Sequence, residues 1–149
     1  MKVAIGSDHA GYEVKKQLLS LIAKLNHEPV DKGTDSEDSC DYPDYAKAVA
    51  QAVSAGECDC GVLICGTGIG MSMAANKVRG IRAAKVCSEY ESKMSRLHNN
   101  ANVLCAGARS MDYEGQIRPI VEVWLTTEFE GGRHERRVNK IMALEGNGV

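Results

Sequence analysis

The sequence has few of the features that membrane and nucleic-acid-binding proteins share. None of its apolar runs approaches the roughly 20 residues of a transmembrane helix. The first residues, Met1 to Gly6, lack the long apolar stretch of a signal peptide. Acidic and basic residues nearly balance, with a formal net charge of −2, so a surface devoted to nucleic acid or anionic lipid is not expected. These absences predict a cytoplasmic protein with neither a nucleic-acid nor a membrane partner.

The six cysteines include no Cys-x-x-Cys pair, which argues against a dithiol redox site. Cys58 and Cys60 are two positions apart, closer than zinc ligands usually are. In a cytoplasmic chain the default role of each cysteine is that of a small buried apolar side chain. The spacing of the cysteines therefore does not indicate a zinc site, and a cysteine assigned to chemistry needs support from its surroundings.

Short β-rich runs alternate with longer helical segments along the chain. The continuous apolar run at 62–64 is typical of a strand buried on both faces of a parallel sheet. Val14, Leu18 and Ile22 recur at helical spacing and predict an amphipathic helix. Strands are predicted at 2–5, 28–31, 61–65, 81–86 and 102–106, and helices at 10–25, 45–53, 70–78, 89–98, 114–125 and 135–145. This order predicts one α/β domain over 1–149, a doubly wound, Rossmann-like, five-stranded parallel sheet with helices on both faces.

In such a sheet, ligands bind near the carboxyl ends of the strands. Polar residues gather next to three of the predicted strands, and this grouping suggests a site. They are Ser7, Asp8 and His9 after the first strand, Cys65 and its glycine-rich loop after the third, His98, Asn99 and Asn100 just before the fifth, and Arg109 just after it.

Three alternating glycines, Gly66, Gly68 and Gly70, connect the third strand to a helix. Backbone N–H groups in such a turn can approach an anion closely, and the start of the helix adds positive potential. The pattern matches neither the dinucleotide fingerprint, since position 71 is Met, nor a Walker loop. The loop is therefore either an anion site or a tight connection, and the glycines alone leave both open.

Cys65 comes directly before this loop. A thiol near the start of a helix has its thiolate form favoured, which would make it a usable base or nucleophile. The hydroxyl of Thr67 is close enough in sequence to hydrogen-bond the sulfur. The competing interpretation is one more buried strand cysteine.

The other candidates also have two interpretations each. Asp8 could bind a ligand or cap the first helix, and His98 could shuttle protons or end its helix. Arg133 and Arg137 are four positions apart, so on a helix they share a face and can converge on one phosphate. Arg136 points elsewhere. The alternative for the whole basic cluster, which consists of Arg133, His134, Arg136 and Arg137, is an exposed, solvated helix face.

Together these segments resemble the type B ribose-5-phosphate isomerases, in the wider family that includes galactose-6-phosphate and allose-6-phosphate isomerases. The resemblance covers nearly the whole chain. Its landmarks are Ser7-Asp8-His9-Ala10-Gly11, Asp41-Tyr42-Pro43, Ile64-Cys65-Gly66-Thr67-Gly68-Ile69-Gly70-Met71-Ser72, Ala74-Ala75-Asn76-Lys77, Gly80-Ile81-Arg82-Ala83, His98-Asn99-Asn100-Ala101-Asn102 and Gly131-Gly132-Arg133-His134-Glu135-Arg136-Arg137.

The resemblance implies an aldose–ketose isomerase that interconverts D-ribose 5-phosphate and D-ribulose 5-phosphate through a cis-enediol, in pentose phosphate metabolism. Cys65 would be the base, Thr67 would support it, and His98 would help to open the sugar ring. The family needs no metal or organic cofactor, and its homodimers or homotetramers share each active site between two subunits. The residues implied to bind the sugar are Asp8, His9, Tyr42 and Asn99. The backbone of Gly66, Gly68, Ile69 and Gly70 would stabilise the enediolate. The phosphate would be bound by Arg109, Arg133 and Arg137, together with His9.

Two points qualify the resemblance. Relatives that lack the cysteine use a glutamate base just after the loop, and Met71 at that position indicates the cysteine version here. The segment from Ser110 to Arg118 is more polar than the family's usual helix start and carries one extra residue before Pro119. The alternatives are an isomerase of six-carbon aldose phosphates and, from another class, a non-catalytic phosphate-binding module.

Overall fold

A computed structural model describes residues 1–147 of the chain, and the last two positions of the predicted domain, 148 and 149, lie outside the described residues. The sheet has five parallel strands in the order β2-β1-β3-β5-β4. The strands are β1 (Lys2–Ser7), β2 (Glu28–Asp31), β3 (Cys60–Cys65), β4 (Ala83–Lys85) and β5 (Val103–Gly107). The predicted fold class and all five strands are confirmed, with β4 shorter than expected.

Helices cover both faces of this sheet. They are α1 (Tyr12–Lys24), α2 (Tyr42–Ser54), α3 (Ile69–Ala75), α4 (Glu89–Leu97), α5 (Arg118–Thr126) and α6 (Arg133–Ala143). The apolar sides of α1 and α5 pack on one face and those of α2 and α3 on the other, while α4 packs against α5. No helix within residues 1–147 combines the length and apolar character that a membrane crossing requires.

Strand β3 lies at the centre of both cores. Val62 and Ile64 belong to the core under α1 and α5, and Leu63 and Cys65 belong to the core under α2 and α3. All six residues of the strand are buried. A strand buried on both faces needs apolar side chains in both directions, which explains the unbroken apolar run in the sequence.

Five of the six helix starts differ from the predicted ones, by one to four residues, and only α4 begins where predicted. The first helical segment opens as a 3₁₀ turn, His9–Gly11, before α1 begins at Tyr12. Helix α2 begins at Tyr42, three residues before the predicted start, with Pro43 in its first turn. Proline is suited to that position because its missing N–H would have had no partner within the helix.

The polar segment before Pro119 forms a π-helical turn, Tyr113–Ile117, that leads directly into α5. A π turn holds one residue more per hydrogen-bonded ring than an α turn. This turn is a direct way to accommodate the extra residue noted at the same place in the sequence. Asp112 caps the turn, since its side chain accepts the N–H of Gly115.

Because all strands are parallel, the sheet has two distinct ends. The carboxyl edge holds the last residues of the strands, Ser7, Cys65 and Gly107, and the amino edge holds the first ones, such as Cys60 and Val103. The register pairs Gly61 with Val103 and Cys65 with Gly107. Four residues of strand therefore separate the two edges, about 13 Å at roughly 3.3 Å per residue.

Candidate active site

Cys65 ends β3 at the carboxyl edge, and the turn that follows points a backbone donor at its sulfur. The N–H of Gly68 donates a hydrogen bond to Sγ of Cys65 at 3.1 Å. Gly68 can do this because it adopts a left-handed conformation, with φ of 78°, that turns the chain back over the strand end. A donor aimed at sulfur stabilises negative charge there, as a base or nucleophile requires.

Thr67 does not take the role expected of its hydroxyl. Its Oγ1 accepts the N–H of Ile69 at 3.3 Å, and the side chain is exposed. In the described part of the chain no hydrogen bond joins Thr67 to Cys65, so the expectation of a direct Thr67–Cys65 bond is wrong for this state. The hydroxyl instead braces the loop, and the amide of Gly68 takes the place beside the sulfur.

Asp8 and His9 lie beside this loop, at the end of β1. The N–H of Asp8 donates to the carbonyl of Ile64 at 3.3 Å. Oδ1 of Asp8 accepts the N–H groups of Ala10 and Gly11, so the capping interpretation is confirmed. His9 is held through Nδ1, which accepts the N–H of Cys40 at 3.2 Å.

Tyr42 and Arg109 complete the carboxyl-edge group. A Cβ at Gly70 would lie 2.6 Å from Cζ of Tyr42, so the tyrosine ring sits directly on the loop and a side chain at position 70 would displace it. The N–H of Arg109 donates to the carbonyl of Gly66 at 3.0 Å, and its side chain runs past the same glycine. The structure thus brings five predicted side chains and the loop together: Asp8, His9, Tyr42, Cys65, Arg109 and the segment 66–70, which includes Thr67.

His98 and Asn99 lie at the other end of the sheet. They follow α4 and precede β5, and the N–H of Gly61 donates to the carbonyl of Asn102 at the amino edge. The expectation that these residues join the carboxyl-edge group is therefore wrong within one chain. In a parallel sheet, residues that precede a strand lie at the amino edge and residues that follow a strand lie at the carboxyl edge. The two edges are about 13 Å apart here.

Arg133 and Arg137 lie with His98 rather than with Cys65. Both are exposed on α6, one turn apart as predicted. Nε of Arg133 donates to Nε2 of His134 at 3.4 Å, and the imidazole of His134 stacks on that of His98. The amino-edge group therefore comprises His98, Asn99, Arg133, His134 and Arg137.

His134 in this amino-edge group, and Glu130 beside it, were not singled out from the sequence. His134 is buried and stacks on His98 with ring centroids 4.1 Å apart and an interplanar angle of 8°. A carboxylate oxygen of Glu130 lies 3.8 Å from Nε2 of His98 and 3.6 Å from Nε2 of His134. The only sequence signal for either was the position of His134 within the basic cluster.

His98, Glu130 and His134 also offer three ligand atoms that lie within 4.8 Å of one another. An imidazole binds a metal through a lone pair in the plane of its ring, at about 2.0 Å for zinc. Two nearly parallel stacked rings cannot both direct their lone pairs at one ion. These residues therefore do not form a ready-made metal site, and the absence of a metal requirement stays a prediction.

Comparisons with known proteins agree with this arrangement of motifs. A family model described as Ribose/Galactose Isomerase matches residues 3–141. The chain is 49% identical over 145 residues to ribose-5-phosphate isomerase B of Escherichia coli strain K12, covering 97% of this chain and 96% of that protein.

Solved structures give the same result. Ribose-5-phosphate isomerase B of Clostridium thermocellum is similar with a TM-score of 0.96 at 49% identity, over 98% of each chain. The enzyme of Mycoplasma genitalium, solved with bound ribulose-5-phosphate, is similar with a TM-score of 0.93 at 42% identity, over 99% of this chain and 97% of that one.

Proposed function

This chain belongs to the ribose/galactose isomerase family, and from that premise we propose that it interconverts D-ribose 5-phosphate and D-ribulose 5-phosphate with Cys65 as the base. The resemblance drawn from the motifs is thereby confirmed at the level of the family. The observation that carries the proposal is the sulfur of Cys65 at a strand end with the N–H of Gly68 directed at it. A relative crystallised with ribulose-5-phosphate supports the choice of a five-carbon sugar.

The proposed reaction moves one proton between neighbouring carbons. The thiolate of Cys65 removes the proton from C2 of the open-chain aldose, and the electron pair forms a C1–C2 double bond while O1 takes up negative charge. The proton on O2 then passes to O1, and return of the abstracted proton to C1 gives the ketose. The backbone of Gly66, Gly68, Ile69 and Gly70 surrounds the enediolate oxygens and stabilises their charge, and Thr67 braces this loop.

The remaining predicted residues bind the substrate and open its ring. Asp8, His9 and Tyr42 lie around the loop, where they reach the sugar hydroxyls, and Arg109 offers a cation beside Gly66. His98 transfers protons to and from the furanose ring oxygen and the anomeric hydroxyl. Asn99 assists His98 in holding the ring, and Arg133 and Arg137 bind the phosphate.

These two groups can meet only if two copies of the chain associate, and we propose a homodimer in which each active site is shared. A two-fold axis perpendicular to the strands reverses their direction, so the carboxyl edge of one protomer faces the amino edge of its mate. His98, Asn99, Arg133 and Arg137 then come from the second protomer. Two such dimers can form a tetramer without changing the site.

Exposed apolar side chains mark the surface for this pairing. Ile69 and Met73 of α3 are 48% and 64% exposed beside the glycine loop. A groove of about 260 Å³ near the amino edge is lined by apolar residues including Ile81, Ala83 and Ile141, and Asn99 borders it. The apolar face of α3 lies next to the carboxyl-edge group, and the apolar groove lies next to the amino-edge group. These two surfaces fit an interface that brings the two groups together.

The cytoplasm is the compartment that fits the cysteines best. All six are unpaired thiols in the structure. A reducing compartment keeps such thiols free, whereas an oxidising one selects for paired cysteines.

The decisive experiment is a panel of five- and six-carbon aldose phosphates assayed for ketose formation. We expect the wild-type protein to convert D-ribose 5-phosphate fastest, and Cys65→Ala to reduce that rate at least about a thousandfold because the base is missing. Cys58→Ala is the matched control, since Cys58 is an equally buried thiol that precedes the same strand at the amino edge. It should stay within about threefold of wild type.

Other outcomes identify the alternatives. Faster turnover of allose 6-phosphate or galactose 6-phosphate would replace the five-carbon assignment with a six-carbon one. Absence of turnover on the whole panel, with sugar-phosphate binding retained, would favour the non-catalytic binding module. Near-normal turnover by Cys65→Ala would remove Cys65 as the base.

A further inference from the structure

The amino-edge group contains a second histidine that the proposed reaction does not use. His98 ends α4 and is about one-third exposed, whereas His134 lies in the first turn of α6 and is only 5% exposed. The two imidazoles are stacked nearly parallel, 4.1 Å apart. The buried ring of His134 therefore packs against one face of the His98 ring, which is the more exposed of the two.

His134 is held in its neutral form. Burial lowers the pKa of His134, and the positive charges of His98, Arg133 and Arg137 lower it further, against an opposing effect of Glu130. Nε2 of His134 accepts a hydrogen bond from Nε of Arg133, which requires that this nitrogen carry no proton. The buried ring is thus an acceptor and a stacking surface rather than a second acid.

His98 has different surroundings from those of His134. Its Nε2 lies 3.8 Å from the carboxylate of Glu130, and its position at the carboxyl end of α4 exposes it to the negative end of the helix dipole. Two positively charged rings at stacking distance repel each other. A neutral His134 therefore avoids this repulsion whenever His98 carries a proton during ring opening.

We propose that His134 is a positioning residue for ring opening: its neutral imidazole holds the ring of His98 in place by stacking, and Glu130 lies beside the Nε2 atoms of both rings. His134 and Glu130 contact or approach His98 directly, and Arg133 and Arg137 lie near His134. The inference rests on the proposed isomerase function, because it assigns ring opening to His98. It adds a residue that touches no reacting atom and acts through His98.

The test separates ring opening from proton transfer at carbon. Isomerisation of D-ribose 5-phosphate requires both, whereas exchange of the C1 protons of D-ribulose 5-phosphate with deuterated solvent requires only the enediol step at Cys65, since this ketose has no furanose form. We expect His134→Ala to lower kcat/KM for ribose 5-phosphate at least about tenfold and to leave the C1 exchange rate within about twofold of wild type.

His134→Phe is the matched variant, since a phenyl ring keeps the stacking surface without the nitrogen atoms. It should recover most of the isomerase activity lost in His134→Ala. NMR supplies a readout that does not depend on activity. The imidazole protons of His98 should resonate upfield through the ring current of their neighbour in the wild type and in His134→Phe, and should lose that shift in His134→Ala.

Each unfavourable outcome has a definite meaning. Failure of the wild type both to isomerise and to exchange would refute the proposed function itself. With an active wild type, equal losses of isomerisation and exchange in His134→Ala, no loss of either, or no recovery in His134→Phe would overturn the positioning role. Thermal unfolding of all three proteins identifies a variant that simply fails to fold.

Discussion

At the scale of single residues, what distinguishes Cys65 is its surroundings rather than its residue type. Burial raises the pKa of Cys60 to about 11, and it raises the pKa of Cys105 and, more modestly, of Cys58. These thiols stay protonated near neutral pH and act as small apolar side chains. Cys65 instead ends its strand beneath the donated N–H of Gly68.

This difference predicts selective alkylation. In a Cys87→Ala background, which removes the exposed thiol, iodoacetamide at pH 8 should modify Cys65 well before Cys58, Cys60 or Cys105, and activity should fall in step. A thiol with a pKa of about 11, such as Cys60, is only about 0.1% thiolate at that pH, and the thiolate is the reactive form. Peptide mass spectrometry measures the order.

Ribose 5-phosphate should slow both the modification of Cys65 and the loss of activity. Loss of activity with Cys65 still unmodified, or with modification only of the half-buried Cys40 beside His9, would contradict this assignment of the thiol.

At the scale of elements, the turn between β3 and α3 depends on one glycine conformation. Gly68 has φ of 78°, and a Cβ there would lie 2.9 to 3.1 Å from backbone atoms of Ala106 in β5. Because backbone atoms of a central strand cannot move aside cheaply, the turn can pass this close to the sheet only without a side chain. The same close approach aims the Gly68 amide at Cys65.

Gly68→Ala should therefore lower the free energy of unfolding by about 3 kcal/mol, as the sum of left-handed strain and a backbone clash. Gly56→Ala is the matched control, since Gly56 has φ of 74° but no atom within 4 Å of an added Cβ, and it should lose about 1 kcal/mol. Urea unfolding followed by the fluorescence of the single, buried Trp124 gives both values. Equal losses in the two variants would show that the contact with Ala106 contributes nothing.

At the scale of the whole molecule, the parallel sheet divides the proposed machinery between its two ends. Cys65 and Arg109 belong to the carboxyl edge, and His98 and Arg133 to the amino edge. No motion of a packed sheet brings its two edges together, because the strands between them are continuous and buried. Association of two copies is the economical way to complete the site.

A mixing experiment tests this sharing directly. Cys65→Ala and His98→Asn homodimers should each have little activity, but exchange of subunits between them creates dimers in which one site carries both changes and the other carries neither. At equal amounts and complete exchange, about a quarter of all sites would be intact, and activity should rise to about a quarter of wild type.

If each site lay within one chain, every site in the mixture would carry one defect and no recovery would occur. Unmixed proteins at the same total concentration are the control, and size-exclusion chromatography confirms that dimers form in each sample.

Patterns along the chain were enough to predict the alternation of strands and helices, the burial of β3 on both faces, and the grouping of Asp8, Cys65 and Arg109 at one edge. These follow from local rules, because periodicity reflects burial and every residue just after a parallel strand reaches the same edge. The contact of Gly68 rather than Thr67 with the sulfur became clear only in the folded chain, since it depends on one backbone angle. The same is true of His134, which is 36 positions along the chain from His98 and stacks on it at the opposite edge. Such long-range packing follows from the path of α6 across the fold, which no local pattern records.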